Sequence, residues 1–178
     1  MPSRATERTI LIDTREHLPF AFPRIVTVGG RGRVLTARRE GLKAGDYALA
    51  GSRACIVERK YNVQELGHNL LTADRARQLK AFDKLTAACR HPVLMVEQTA
   101  SGILTPPQGA DPSYCGAAID ALLAELLPRG ILLWLIGRCV TPGARIHAGE
   151  LVARLLIGAD EQPAAAPKFS LDDPPVAP

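Results

Sequence analysis

The sequence predicts an α/β domain: a central mixed sheet flanked by helices. Three observations predict it. Short apolar, β-branched runs recur along the chain, as at Thr9-Ile10-Leu11-Ile12 and Ala54-Cys55-Ile56-Val57. Between the later runs, apolar residues fall at helical spacing. The order also matters, because strands follow one another early and helices then alternate with two further strands. An early hairpin pairs antiparallel, whereas strands joined across a helix pair parallel.

The first strand is expected to end at Asp13. An irregular stretch with Pro19 and Pro23 follows, and Gly29-Gly30-Arg31-Gly32-Arg33 reads as a flexible basic loop. Residues 33–38 form a strand, since Val34 and Thr36 favour one. Tyr47-Ala48-Leu49 and residues 54–57 form two more around a Gly51-Ser52 turn. Val63, Leu66, Leu70 and Leu71 then mark one apolar helical stripe. A second helix runs over about residues 74–89 with Leu79, Phe82, Leu85 and Cys89 inward, and Asp74 as a cap or first-turn acid. Residues 92–97 form a buried strand, 102–111 a loop, and 114–127 a helix. Residues 131–136 form a strongly apolar strand, and about 144–157 a last helix.

The expected organisation is a flexible N-terminus (1–8), one domain (9–158) and a disordered Pro- and Ala-rich tail (159–178). A length of 178 residues suits one domain. Hydrophobic residues make up 47% and aromatics 4%, so Leu, Ile, Val and Ala must fill the core. No run of about 18 apolar residues is present to span a membrane, and the polar start lacks the apolar stretch of a secretory signal. These features predict a cytoplasmic protein. Cys55, Cys89, Cys115 and Cys139 are widely spaced; they read as buried free thiols rather than zinc ligands or a disulfide framework. His17, His68, His91 and His147 show no helical metal-ligand spacing. Charge is asymmetric. Residues 1–110 hold 17 Lys/Arg against 10 Asp/Glu, and residues 111–178 hold 5 against 8. A basic first part suits contact with phosphates.

One constellation carries chemistry. Asp46 follows a glycine at a strand start, and Glu58, Arg59 and Lys60 end the next strand. Residues at i and i+2 share a strand face, so Glu58 and Lys60 project together, and a short hairpin brings Asp46 beside them. Mg²⁺ takes oxygen ligands, often one or two carboxylates plus water and phosphate. Asp46 and Glu58 supply the carboxylates, and the Arg59 carbonyl adds an oxygen. Lys60 positions the attacking water or offsets charge building up on phosphorus. Three ionisable residues directly after apolar Cys55-Ile56-Val57 would be costly to bury without pairing or a metal. Nothing favours a small-molecule α/β enzyme: there is no Gly-x-Gly-x-x-Gly between strand and helix, no Walker-type loop and no Gly-x-Ser-x-Gly elbow.

Ile12-Asp13-Thr14-Arg15-Glu16, Leu42-Lys43-Ala44-Gly45-Asp46-Tyr47 and Ile56-Val57-Glu58-Arg59-Lys60 together resemble the nuclease domain of the XPF family of structure-specific DNA endonucleases. The resemblance covers about residues 9–137. It implies the restriction-endonuclease-like fold and a metal-dependent endonuclease acting on duplex or branched DNA, whether flapped, forked or nicked. Asp13, Asp46, Glu58, Arg59 and Lys60 would be catalytic, with Asp13, Asp46 and Glu58 binding Mg²⁺ and Mn²⁺ able to substitute. Arg15 would contact DNA phosphates, as would Arg75, Arg77 and Lys80 on the second helix. A homodimer or heterodimer would be expected, and a DNA-associated location. The family pattern has an Asp four positions after the lysine. This chain has Gln64 there and an acid next, at Glu65, an accessory candidate. Tandem helix-hairpin-helix motifs, which many members carry after the nuclease domain, are not found after residue 137. The alternative on the same fold is a catalytically weak or inactive DNA-binding or partner subunit.

Overall fold

The computed structural model describes residues 6–106 and 112–162. Its seven strands and five helices follow the order β1 (Thr6–Asp13), β2 (Ile25–Val28), β3 (Arg31–Glu40), β4 (Tyr47–Leu49), β5 (Cys55–Lys60), α1 (Val63–Leu71), α2 (Arg75–Ala88), β6 (His91–Glu97), α3 (Ala100–Leu104), α4 (Pro112–Arg129), β7 (Leu132–Ile136) and α5 (Pro142–Glu161). All strands lie in one sheet, in the order β2-β3-β1-β4-β5-β6-β7. The sheet is mixed as expected. The β4–β5 hairpin is antiparallel, and β5–β6 and β6–β7, joined across helices, are parallel.

Alternation decides which side chains meet which layer. Ile10, Ile12, Tyr47, Cys55, Val57, Val93 and Met95 point to one face and pack under α5, against Val152, Leu156 and Ile157. On the opposite face Leu94 and Val96 meet Leu66 and Leu70 of α1, Phe82 of α2, and Leu122 and Leu126 of α4. On that same side Leu11, Ala48 and Ile56 pack with Leu85 of α2. Of the four thiols, Cys55, Cys115 and Cys139 are buried and Cys89 is partly exposed.

Four elements differ from the sequence reading. Gly29-Gly30 forms a two-residue hairpin turn rather than a flexible loop, with φ of 55° and 73°. Positive φ at both central residues is what a tight hairpin requires, and it generates β2, which had read as irregular. The glycine-flanked arginines are then strand residues, and Arg33 is buried and ion-paired to Glu161 at 2.6 Å. Residues 100–104, partly read as loop, form the short helix α3, capped by the Thr99 side chain. Helix α5 extends to Glu161, because Arg8 and Arg33 pair with Asp160 and Glu161 at its end. The predicted tail therefore starts later than 159, and its remainder lies outside the described residues. β1 likewise begins at Thr6, inside the segment expected to be flexible.

Candidate active site

The site grows from the β4–β5 hairpin. Gly45 adopts φ +69°, and a Cβ there would lie 2.4 Å from Ile56 Cγ2 and 3.0 Å from the Val57 carbonyl oxygen. Only glycine permits that approach. The turn lets the Asp46 N–H donate to the Val57 carbonyl at 2.8 Å, and the Asp13 N–H to the Asp46 carbonyl at 2.9 Å. Asp46 is thereby fixed between two strands. Its Oδ2 accepts the Arg59 backbone N–H at 2.7 Å.

Asp46, Glu58 and Lys60 share a face, as period-2 alternation predicts. The Lys60 Nζ lies 2.9 Å from Glu58 Oε1 and 3.4 Å from Glu65 Oε1. A cavity of about 270 Å³ opens here, lined by Asp46, Glu58, Lys60 and Glu65 together with Arg15 and Glu16 among others. Glu65 is tied to the start of α1. Its N–H is capped by Asn62 Oδ1 at 2.9 Å, and its Oε2 accepts the Tyr61 N–H at 3.1 Å. The accessory candidate is thus one step from the lysine. The Gln64 side chain is not described.

Electrostatics at the site oppose each other. Burial, and then the neighbouring Glu58 charge, push the Asp46 carboxyl up to about 7. Burial also works against the Lys60 ammonium, but Glu58 and Glu65 outweigh it and hold that group above its ordinary value. A carboxyl crowded by a second carboxylate is an arrangement that bound positive charge relieves. Among the described residues, no group of three or more His, Cys, Asp or Glu side chains is placed to hold a metal ion alone. The donor set is two carboxylates, Asp46 and Glu58, which fits a hard cation that completes its shell with water and phosphate oxygens.

The side chains of Asp13 and Arg59 have partners of their own. Asp13, read as a metal ligand, is fully buried and does not line the cavity. Its Oδ1 accepts the Arg15 N–H at 2.7 Å and Nε at 2.8 Å; its Oδ2 accepts Arg15 Nη2 at 3.1 Å and the Leu42 N–H at 2.7 Å. With both oxygens committed, it orders Arg15 and the strand leading to Asp46. The Arg15 hydrogen bond holds its carboxyl down at about 2. Arg59 lies between Glu58 and Lys60, so alternation turns its side chain toward the opposite face, although Arg59 still borders the cavity beside Glu16 and Leu18. It pairs with buried Glu97 and with Glu16 (3.0 Å), donates to the Leu18 carbonyl at 3.1 Å, and lies 5.0 Å over the Phe20 ring. Glu97 also accepts the Cys139 N–H at 3.2 Å.

Sequence reasoning gave no role to Glu16 and Glu97. Glu16 lies in the quoted Asp-x-Arg-Glu block and lines the cavity. Glu97 ends an apolar strand, and a lone acid closing such a run was the signal that it has a buried partner. Of the basic candidates, Arg15 lines the cavity and is 73% exposed. Arg75 pairs with Glu125 at 2.5 Å and Arg77 with Asp74 at 3.2 Å, and Lys80 is exposed on α2; none of the three lines the cavity.

No family model and no curated protein sequence matches the chain. The fold is shared with solved structures. XPF from Aeropyrum pernix superposes over 96% of this chain and 69% of that one, with a TM-score of 0.57 at 18% identity. XPF from Aeropyrum pernix in complex with DNA does so over 88% and 68%, with a TM-score of 0.56 at 20% identity. The chain therefore has the fold of an XPF-type nuclease domain, a mixed seven-stranded sheet flanked by helices.

Proposed function

We propose that this chain is a metal-dependent DNA endonuclease that hydrolyses phosphodiester bonds. The observation that carries this reading is the convergence of Asp46, Glu58 and Lys60 on one sheet face at the mouth of one cavity. The fold supports it, since a solved structure of the same fold holds DNA. No described helix is long and apolar enough to cross a membrane.

Asp46 and Glu58 would hold Mg²⁺, with Mn²⁺ able to substitute. Bound there, the ion would polarise the scissile phosphate and acidify a water. Every other contribution comes from the chain. Glu58 and Glu65 keep Lys60 charged, so Lys60 acts as a hydrogen-bond donor and counter-charge, not as a base. The Arg59 N–H fixes one oxygen of Asp46 and leaves the carboxylate aimed by the turn at Gly45. Asp13 is a positioning residue that holds Arg15 at the cavity, where its exposed guanidinium meets phosphate. Arg75, Arg77 and Lys80 would contact phosphates farther along the duplex. In a dimer, Leu127 of α4 and Leu132 of the edge strand β7, 75% and 57% exposed, offer apolar surface to a second subunit.

The test is incubation with nicked, flapped and forked DNA, with and without Mg²⁺. Cleavage that requires both the metal and Glu58 supports the reading. DNA binding that survives Asp46→Ala, needs no metal and brings no cutting would establish the non-catalytic alternative. Relative rates on the three substrates would fix which branched structure is preferred.

A further inference from the structure

A cavity larger than the candidate site lies elsewhere among the described residues. It is a groove of about 770 Å³ on the sheet face shared with α2. Leu11, Leu42, Ala48 and Ile56 form its apolar floor and Ala87 and Ala88 one wall. Three cations border it: Lys43, Arg53 and Lys84. An apolar floor with a basic rim calls for an occupant that carries both apolar side chains and negative charge. Nucleic acid phosphates would satisfy the rim and leave the floor exposed.

The chain itself contains such a segment. Lys168-Phe169-Ser170-Leu171-Asp172-Asp173 places two large apolar residues at i and i+2, followed directly by two acids. In an extended chain, positions i and i+2 share a face. The route is short. The end of α5 is tied to the foot of the sheet by Arg90, whose Nη2 donates to the Ala159 carbonyl at 3.4 Å. The Arg90 N–H in turn donates to the Arg53 carbonyl at 3.0 Å, and Arg53 lines the groove. A smaller cavity of about 220 Å³ lies along this path and shares Arg53, Ala87 and Ala88 with the groove. The residues between Gln162 and Phe169 can span roughly 20 Å, and the Ala159–Arg90–Arg53 contacts mark a continuous path from α5 to the groove.

We infer that residues 168–173 dock in this groove of their own chain. Phe169 and Leu171 cover the apolar floor, and Asp172 and Asp173 meet Lys43, Arg53 and Lys84. The docked segment would lie beside Leu42-Lys43-Ala44, the stretch that leads into Gly45 and Asp46.

Amide NMR spectra of the full ¹⁵N-labelled chain test this. Phe169→Ala with Leu171→Ala should shift the resonances of Ala48, Gly51, Ala87 and Ala88 and leave the α5 core unchanged. Lys43→Glu with Lys84→Glu should produce the same displacement, and Asp172→Lys with Asp173→Lys on that background should reverse it. A synthetic peptide of residues 163–178 should restore the shifts in the Phe169/Leu171 variant. Groove resonances that ignore the tail substitutions would overturn the inference. So would groove shifts that vanish on tenfold dilution, since the occupant would then be the tail of a second copy. Groove resonances that respond to duplex DNA and not to the tail would overturn it as well.

Discussion

The Glu58 carboxylate and the Lys60 ammonium lie 2.9 Å apart on the same face of β5, with the intervening Arg59 turned to the other face and paired with Glu97. One strand end thus serves two layers. The Glu58–Lys60 pair faces the cavity; Arg59 also borders it, but its guanidinium pairs with Glu97 against the packing under α5. Function and stability should therefore separate by substitution.

Asp46 should destabilise the metal-free protein at neutral pH. Its folded pKa, raised to about 7 from 3.8, means the folded state binds this proton more tightly than the unfolded chain. Its contribution is full below pH 3.8 and is lost as pH rises through 7. Asp46→Asn should therefore be more stable than wild type above pH 7, by up to about 4 kcal/mol, with the two converging near pH 4. Urea unfolding in chelator across that range checks this; parallel curves would refute it.

Asp13 has the opposite sign. Its pKa, lowered to about 2 from 3.8, gives stability that is full above 3.8 and lost as pH falls through 2. The loss is ~2 kcal/mol, and Asp13→Asn should show it at neutral pH. Calorimetric Mg²⁺ titration of this variant should give wild-type affinity, because Asp13 commits both oxygens to Arg15 and Leu42. A large loss of affinity would restore Asp13 to the metal shell.

Arg59 is buried between Glu97 and Glu16, so removing the arginine strands buried carboxylate, whereas removing Glu97 leaves Arg59 paired with Glu16. Arg59→Met should cost about 3–5 kcal/mol, and Glu97→Ala less. The double variant Arg59→Met with Glu97→Ala should cost less than the sum of the two single changes, as measured in a double-mutant cycle by denaturant unfolding. Additivity would show that the pair is not coupled.

Gly45 and Gly51 both have positive φ, 69° and 75°, but only Gly45 is crowded. Gly51→Ala should cost the backbone strain alone, about 1–3 kcal/mol. Gly45→Ala adds the clash with Ile56 and Val57 and should cost more, and it should lower cleavage by displacing Asp46. Paired unfolding and cleavage measurements distinguish the two glycines.

Much of the site was legible because it is local. Period-2 alternation puts Glu58 and Lys60 on one face, and a short hairpin returns to Asp46. The same alternation already turns the Arg59 side chain away from those of Glu58 and Lys60. What the sequence hid depends on distant partners. Arg59 meets Glu97 across 38 positions and Arg33 meets Glu161 across 128, and no local pattern encodes either pair. The Gly29-Gly30 turn read as a flexible loop because it lacks flanking apolar alternation: Arg31 and Arg33 stand where a hairpin usually shows it. Residues 100–104 lack the length for a helical stripe, so α3 rests on its Thr99 cap. Asp13 sits where the XPF-type motif has an acid, and its partners, Arg15 and the Leu42 N–H, are not named by that position alone.

The central claim is that Asp46, Glu58 and Lys60 form one catalytic unit. The most direct measurement is the single-turnover rate of branched-DNA cleavage in saturating Mg²⁺ for wild type, Glu58→Gln and Lys60→Met, with DNA affinity measured separately in Ca²⁺. Cleavage should fall by about 10²–10³-fold or more in each variant, while affinity changes little. Cleavage at the wild-type rate in both variants, or none by wild type with Mg²⁺ or Mn²⁺ present, would contradict the account.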